Sequence, residues 1–178
     1  MKTKFLLTLA FALAASTLSA EDARWWKGNL HTHSLWSDGD DYPEMIADWY
    51  RSNGYHFLAI SDHNVLAEGQ RWIHREKNAG GQQAFDKYLK HFGDDWVEHK
   101  VVKGVPQVRL KTYAEYRPKM AVPGSFLLME SEEISDQFQN LQIHINVTNI
   151  KKQIPPQGGA GVAATMQKNI DAVLAQRK

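Results

Sequence analysis

An α/β fold with parallel neighbouring strands is what this sequence predicts, and three observations predict it. A short extended stretch from Gly28 to Thr32 leads to the helical PEMIADWYRSNG and then to the compact apolar run HFLAIS. Strand, helix and strand in that order make a βαβ unit, whose strands lie parallel. Apolar runs recur in SFLLMESEEIS and QIHINVTNI, and the runs carry polar side chains at strand C-termini: His31 and His33, Asp62 and His63, Glu133, His144. Parallel barrels keep their chemistry at that face, because the loops converge there.

The elements follow in chain order. MKTKFLLTLAFALAASTLSA opens on Lys2 and Lys4, runs apolar from Phe5 to Ala15 and closes on small residues at Ala20. This is the charged, apolar and cleavage-site order of a secretory signal peptide, and its apolar run is too short to span a bilayer. Removal of residues 1–20 would leave a domain of residues 21–178, exported to the periplasm or secreted, with no stable membrane anchor. Gly28 to Thr32 is the first strand, followed by the turn LWSDGDD. Pro43 starts a helix, Met45, Ile46, Trp49 and Tyr50 share its apolar face, and Gly54 closes it. HFLAIS is a buried strand ending at Asp62-His63-Asn64. Ala67 to Lys77 is predicted as a second helix. Residues 80–122 are less regular and are read as an insertion into a minimal βα repeat, with TYAEYRPKM helical within it. SFLLMESEEIS and QIHINVTNI are strands, the second marked by β-branched residues. IPPQGGAG is a loop, and VAATMQKNIDAVLAQRK is a final amphipathic helix.

Composition narrows the function classes. Lys and Arg number 21 against 20 Asp and Glu, so no strong field draws the chain to nucleic acid or to a membrane. There is no cysteine, which excludes disulfides, a cysteine-linked lipid anchor and a thiol nucleophile. Stability then rests on a core, on metals, or on both.

His31 and His33 stand two apart, so on a strand both rings take one face, where two imidazoles can grip one divalent cation. Asp38 adds a hard oxygen in a turn, and Gly39 lets the backbone bend around it. His63 closes the next strand as a further ligand, with Asp62 behind it orienting this histidine or another. Glu130, Glu132 and Glu133 cluster on one strand, Glu133 on the opposite face from the other two; one is expected to bind metal and the others to be solvated. His144 lies between Ile143 and Ile145 and gains weight only as a member of this set. His56, His74, His91 and His99 are read as surface or structural. The six tryptophans fit core and rim packing, with an aromatic platform for a sugar or a nucleobase as the alternative.

HTHSLWSDG, ISDHN, and EEIS followed by QIHINV resemble, in order and spacing, the polymerase and histidinol phosphatase (PHP) family, from about Gly28 to Asn149. The resemblance implies a distorted (β/α)7 TIM-like barrel whose C-terminal face binds two or three divalent cations, zinc, manganese or iron, for phosphoester hydrolysis. It implies that His31, His33 and Glu133 serve one metal, that Glu133 bridges to a second held also by His144, and that Asp38 and His63 serve a third. Glu133 takes this role over Glu130 because it occupies the EEIS position at the family's distance before His144. The family also supplies a histidine from a later strand and a terminal Asp-x-His, and neither appears before Lys178. A full parallel barrel takes roughly 250 residues, so the chain is expected to be the N-terminal part of one.

The expected activity is therefore that of an exported metal-dependent phosphoesterase, in which cations acidify a water that serves as nucleophile. Its expected partner is a phosphoester or other small molecule, not nucleic acid. A non-catalytic, carbohydrate-binding module of the same fold and a metal-dependent amidohydrolase are the alternatives. The oligomeric state is left open.

Overall fold

Pro43 at the first helical position and Glu44 in the first turn open helix α1 (Pro43–Ser52), and Gly54, at φ +72°, turns the chain out of it. In the computed structural model, which describes residues 23–177, this helix follows a two-residue strand, β1 (Gly28–Asn29), and precedes β2 (Phe57–Ile60). The signal-peptide segment lies outside the described residues. Among the described residues no helix is long and apolar enough to cross a membrane.

Next come β3 (Arg71–His74), α2 (Gly81–Phe92), β4 (His99–Val102), β5 (Val105–Leu110) and α3 (Tyr113–Met120). The chain closes with β6 (Leu127–Phe138), β7 (Leu141–Thr148) and α4 (Val162–Ala175). The fold is mixed α/β, with one four-stranded sheet ordered β1-β2-β6-β7 and one three-stranded sheet ordered β3-β5-β4. The first sheet is compatible with part of a barrel.

The parallel expectation holds for β1 with β2 and for β2 with β6. It fails for β7, which pairs antiparallel with β6 from Ser131↔Thr148 to Phe138↔Leu141. The connection is only Gln139 and Asn140, with Gln139 at φ +55°, and a link that short makes a hairpin, never a parallel crossover. β6 also runs further than the sequence indicates, so Glu133 and His144 sit mid-strand rather than at strand ends.

The predicted helix at Ala67–Lys77 is absent. Arg71–His74 is instead a strand, antiparallel to β5 in the register Trp72↔Arg109. Long-range pairing with β5 overrides the local preference, and Lys100 lies 3.6 Å above the Trp72 ring. Residues 80–122 are likewise regular. β4 and β5 form a hairpin through Lys103 and Gly104, both at positive φ, and α3 carries a capping box from Thr112 to Glu115.

Three apolar clusters hold these layers. Leu35, Trp36, Tyr42, Phe85, Tyr88, Val108 and Leu110 join the loop after β1 to the second sheet. Leu58, Ile60, Tyr116, Met120, Phe126 and Leu128 pack the first sheet against α1 and α3. Leu66, Ile134, Val147, Ile150 and Ile154 fill the space under α4. The catalogue of tryptophans divides accordingly: Trp36 is core, whereas Trp25 is fully exposed.

Candidate metal centre

β1 ends early because the Asn29 side chain accepts the His31 backbone N–H at 3.1 Å. His31 and His33 therefore stand in the following loop, not on a strand as expected. The path stays extended enough for Ser61 N–H to reach Thr32 O at 2.8 Å, which keeps the loop beside β2. The two rings still meet, with centroids 4.8 Å apart.

Asp62 fastens the rest of that loop. Its carboxylate is buried and accepts Ser34 N–H and Ser34 Oγ–H, each at 2.7 Å, and Ser37 Oγ–H at 2.6 Å. The expectation that Asp62 orients an imidazole is thus corrected: it holds the backbone that carries His33 and Asp38. Burial raises its pKa, with the Ser37 and Ser34 bonds opposing. Gly39 is needed for room rather than for a special φ. A Cβ there would fall 2.5 Å from His33 C and O and 2.6 Å from Ser34 N.

Beyond its formal end, β2 continues along β6. Glu133 N–H donates to Asp62 O and Asn64 N–H to Glu133 O, both at 3.0 Å, so His63 comes alongside Glu133. β7 delivers His144 from the other side of β6.

All six predicted ligands meet. Glu133 is central and its side chain is 6% exposed, whereas Asp38 at the rim is 66% exposed. Glu133 Oε1 lies 3.2 Å from His144 Nδ1 and 3.9 Å from His31 Nε2. Glu133 Oε2 lies 3.3 Å from His33 Nε2 and 2.8 Å from His63 Nδ1. Asp38 reaches His33 Nδ1 at 2.8 Å and His63 Nε2 at 3.5 Å. Burial works to raise the Asp38 pKa, but the His33 hydrogen bond and the neighbouring imidazoles outweigh it, and the net shift is downward.

Three groups could hold an ion: His31 with His33 and Glu133, His33 with Asp38 and His63, and His63 with Glu133 and His144. The first matches the grouping implied by the resemblance. The others differ from it, because His33 joins Asp38 and His63, and His63 joins Glu133 and His144. Each shared imidazole has two nitrogens facing different groups, and each Glu133 oxygen lies near one histidine of each of its two groups, Oε1 near His31 and His144 and Oε2 near His33 and His63. The fit has one strong sign: His33 Nε2 and Glu133 Oε2 are buried without any hydrogen-bond partner. Buried polar atoms are rarely left so, and imidazole with carboxylate is a donor set for zinc, manganese or iron.

Glu130 and Glu132 stand apart from this cluster. Glu132 is fully buried, not solvated as expected; the Ile154 N–H donates to it at 2.6 Å, and burial pushes its pKa up to about 7. The other histidines are held elsewhere, His91 by Asp48 and His99 by Asp94. Two contacts escaped the sequence reading. Asn146 Oδ1 lies 2.6 Å from His31 Nδ1, and Ser135 Oγ lies 2.5 Å from His63 Nδ1. The signal was present in the i, i+2 spacing of Asn146 from His144 and of Ser135 from Glu133.

No protein-family model matches the chain. Among curated proteins, it is similar to the DNA polymerase/3'-5' exonuclease PolX of Bacillus subtilis (strain 168), 32% identical over 79 residues. The match takes in 44% of this chain and 13% of that protein, a partial likeness that gives faint support to the PHP resemblance.

Proposed function

We propose that this chain is a PHP-type metal-dependent hydrolase and that its reaction is phosphoester hydrolysis. The observation that carries the proposal is the buried, unpartnered pair of His33 Nε2 and Glu133 Oε2 at the centre of six converging ligands. His31, His33 and Glu133 would hold one cation, Glu133 and His144 a second, and Asp38 with His63 a further one. Such cations supply Lewis acidity, lowering the pKa of water and offsetting phosphoryl charge. The chain's own part is to fix the donors: Asp62 clamps the His33–Asp38 loop, and the β2–β6 pairing sets His63 against Glu133. Exonuclease action is phosphodiester cleavage, so the partial likeness to a protein named for it is in keeping with this substrate class.

A small phosphoester is proposed in preference to nucleic acid, on the near balance of 21 basic against 20 acidic residues. Export to the periplasm or the medium is proposed on the N-terminal segment, and N-terminal sequencing of the exported protein tests it.

The experiment is hydrolysis of a phosphomonoester and a phosphodiester, each with added zinc, manganese or iron, alongside measured metal content. The wild type is expected to bind metal and to hydrolyse in its presence, and the double variant His31→Ala, His33→Ala is expected to lose both. Equal activity in the two proteins would overturn the proposal, and amide hydrolysis without phosphoester hydrolysis would replace its substrate class.

A further inference from the structure

Four side chains on β6 and β7 form a square on one face of the hairpin. Glu133 is directly opposite Asn146, and Ser135 is directly opposite His144. Such cross-strand partners share a face about 5 Å apart. Glu133 and His144, on one diagonal, belong to the metal-capable groups. Asn146 and Ser135, on the other, touch the Nδ1 atoms of imidazoles that arrive from outside the hairpin. Asn146 meets His31 and Ser135 meets His63.

We infer that Asn146 and Ser135 are positioning residues that keep His31 and His63 protonated on Nδ1, so that both present Nε2 as the metal-binding atom. This rests on the metal-dependent reading proposed above. An amide oxygen only accepts, so the 2.6 Å contact to Asn146 Oδ1 requires the proton to be on His31 Nδ1. The free Nε2 is then the atom on the Glu133 side. The Ser135 hydroxyl donates to the Glu133 carbonyl at 3.3 Å, so it receives His63 Nδ1–H on a lone pair. His63 Nε2 is then the atom facing Asp38. In consequence His63 serves with Asp38, because its nitrogen near Glu133 is occupied by a proton. Ligand histidines generally have such a partner, and its loss costs roughly 10–100-fold in metal affinity.

The test has two readouts. Proton–nitrogen correlation spectra of the metal-free protein, at alkaline pH where imidazoles are neutral, report which nitrogen of each ring bears the proton. Titration calorimetry with zinc reports affinity. The inference expects Nδ1–H on His31 and His63. Asn146→Ala should release the His31 tautomer and weaken zinc binding roughly 10–100-fold, and Asn146→Asp, which keeps an acceptor, should restore both. Ser135→Ala should do the same at His63, with Ser135→Thr restoring. A proton on Nε2 of His31 in the wild type, or unchanged zinc affinity in both alanine variants, would overturn the inference. Should the wild type bind no zinc, the metal-dependent reading falls, while the tautomer spectra still decide the present one.

Discussion

His33 Nε2 and Glu133 Oε2 lie 3.3 Å apart, both buried and both without a hydrogen-bond partner. Leaving such atoms unpaired costs free energy that a bound cation would recover. Metal should therefore stabilise the fold as well as activate it. At a free metal concentration about 100 times Kd, the gain is about 2.7 kcal/mol, or roughly 5–10 °C in Tm for a chain of this size. Glu133→Gln should remove the part of that gain that comes from the two groups sharing Glu133, while leaving the metal-free protein folded. Thermal melts with zinc or manganese, and again after chelation, check it. A metal-dependent rise in Tm as large in Glu133→Gln as in the wild type would place the ion outside the two groups that share Glu133.

Gly39 tests the loop that carries two ligands. An added Cβ would meet the backbone of His33 and Ser34, which cannot move aside as a flexible side chain could. Gly39→Ala should cost about 1–3 kcal/mol, the usual range for overpacking, and should weaken metal binding through His33 and Asp38. Gly93→Ala is the control, since its added Cβ meets nothing within 4 Å and its φ of +75° gives backbone strain alone. That variant should lose stability without losing metal affinity, as melts and calorimetry on the two proteins would show.

Much of the site was legible because its donors sit in short, distinctive runs. His31, His33 and Asp38 occupy one turn, and Asp62-His63 closes an apolar strand. What the sequence hid was set by pairing between distant segments. Arg71–His74 is a strand because β5 lies beside it, thirty-odd residues on, and no local window holds that partner. Glu132 is buried because the chain returns at Ile154 to donate to it. Asn146 and Ser135 touch His31 and His63 only after β6 and β7 have paired. The βαβ order was readable, whereas the antiparallel turn of β7 depended on the two residues Gln139 and Asn140 being too few for a crossover.

Arg109 anchors an ion-pair group outside the metal centre, with Glu98 and Glu115 on its guanidinium and Lys111 also on Glu98. Arg109 and Lys111 hold the Glu98 carboxyl down at about 2, and Arg109 holds Glu115 at about 2. Both shifts are downward, so the stability they contribute is present above the unfolded carboxylate pKa near 4.5 and is lost as pH falls toward 2. Both glutamates are partly exposed, so screening keeps the effect small. Arg109→Met should flatten the loss of stability between those pH values. The measurement compares the acid profiles of this variant and the wild type in chelator, where the metal centre is the same in both proteins and its contribution cancels. An unchanged acid profile would show the group to be energetically silent.

Glu44 gives a pH dependence of the opposite sign. It is fully buried on α1, where Tyr88 Oη–H at 2.5 Å and Trp96 Nε1–H at 2.9 Å both donate to Oε1, while Oε2 has no partner. Burial raises its pKa, against the opposing Tyr88 bond. A raised carboxyl destabilises the folded state above the unfolded pKa, because folding must then bury a charge or take up a proton. The penalty grows by at most about 1.4 kcal/mol per pH unit until the folded pKa is reached. Glu44→Gln keeps a carbonyl oxygen for Tyr88 and Trp96 and removes the charge. The variant should match the wild type near pH 4 and exceed it in stability at neutral and higher pH. Denaturant unfolding across that range decides the matter: a variant less stable at every pH would mean that the carboxylate is used in the folded protein, where the Lys111 charge favours its ionised form.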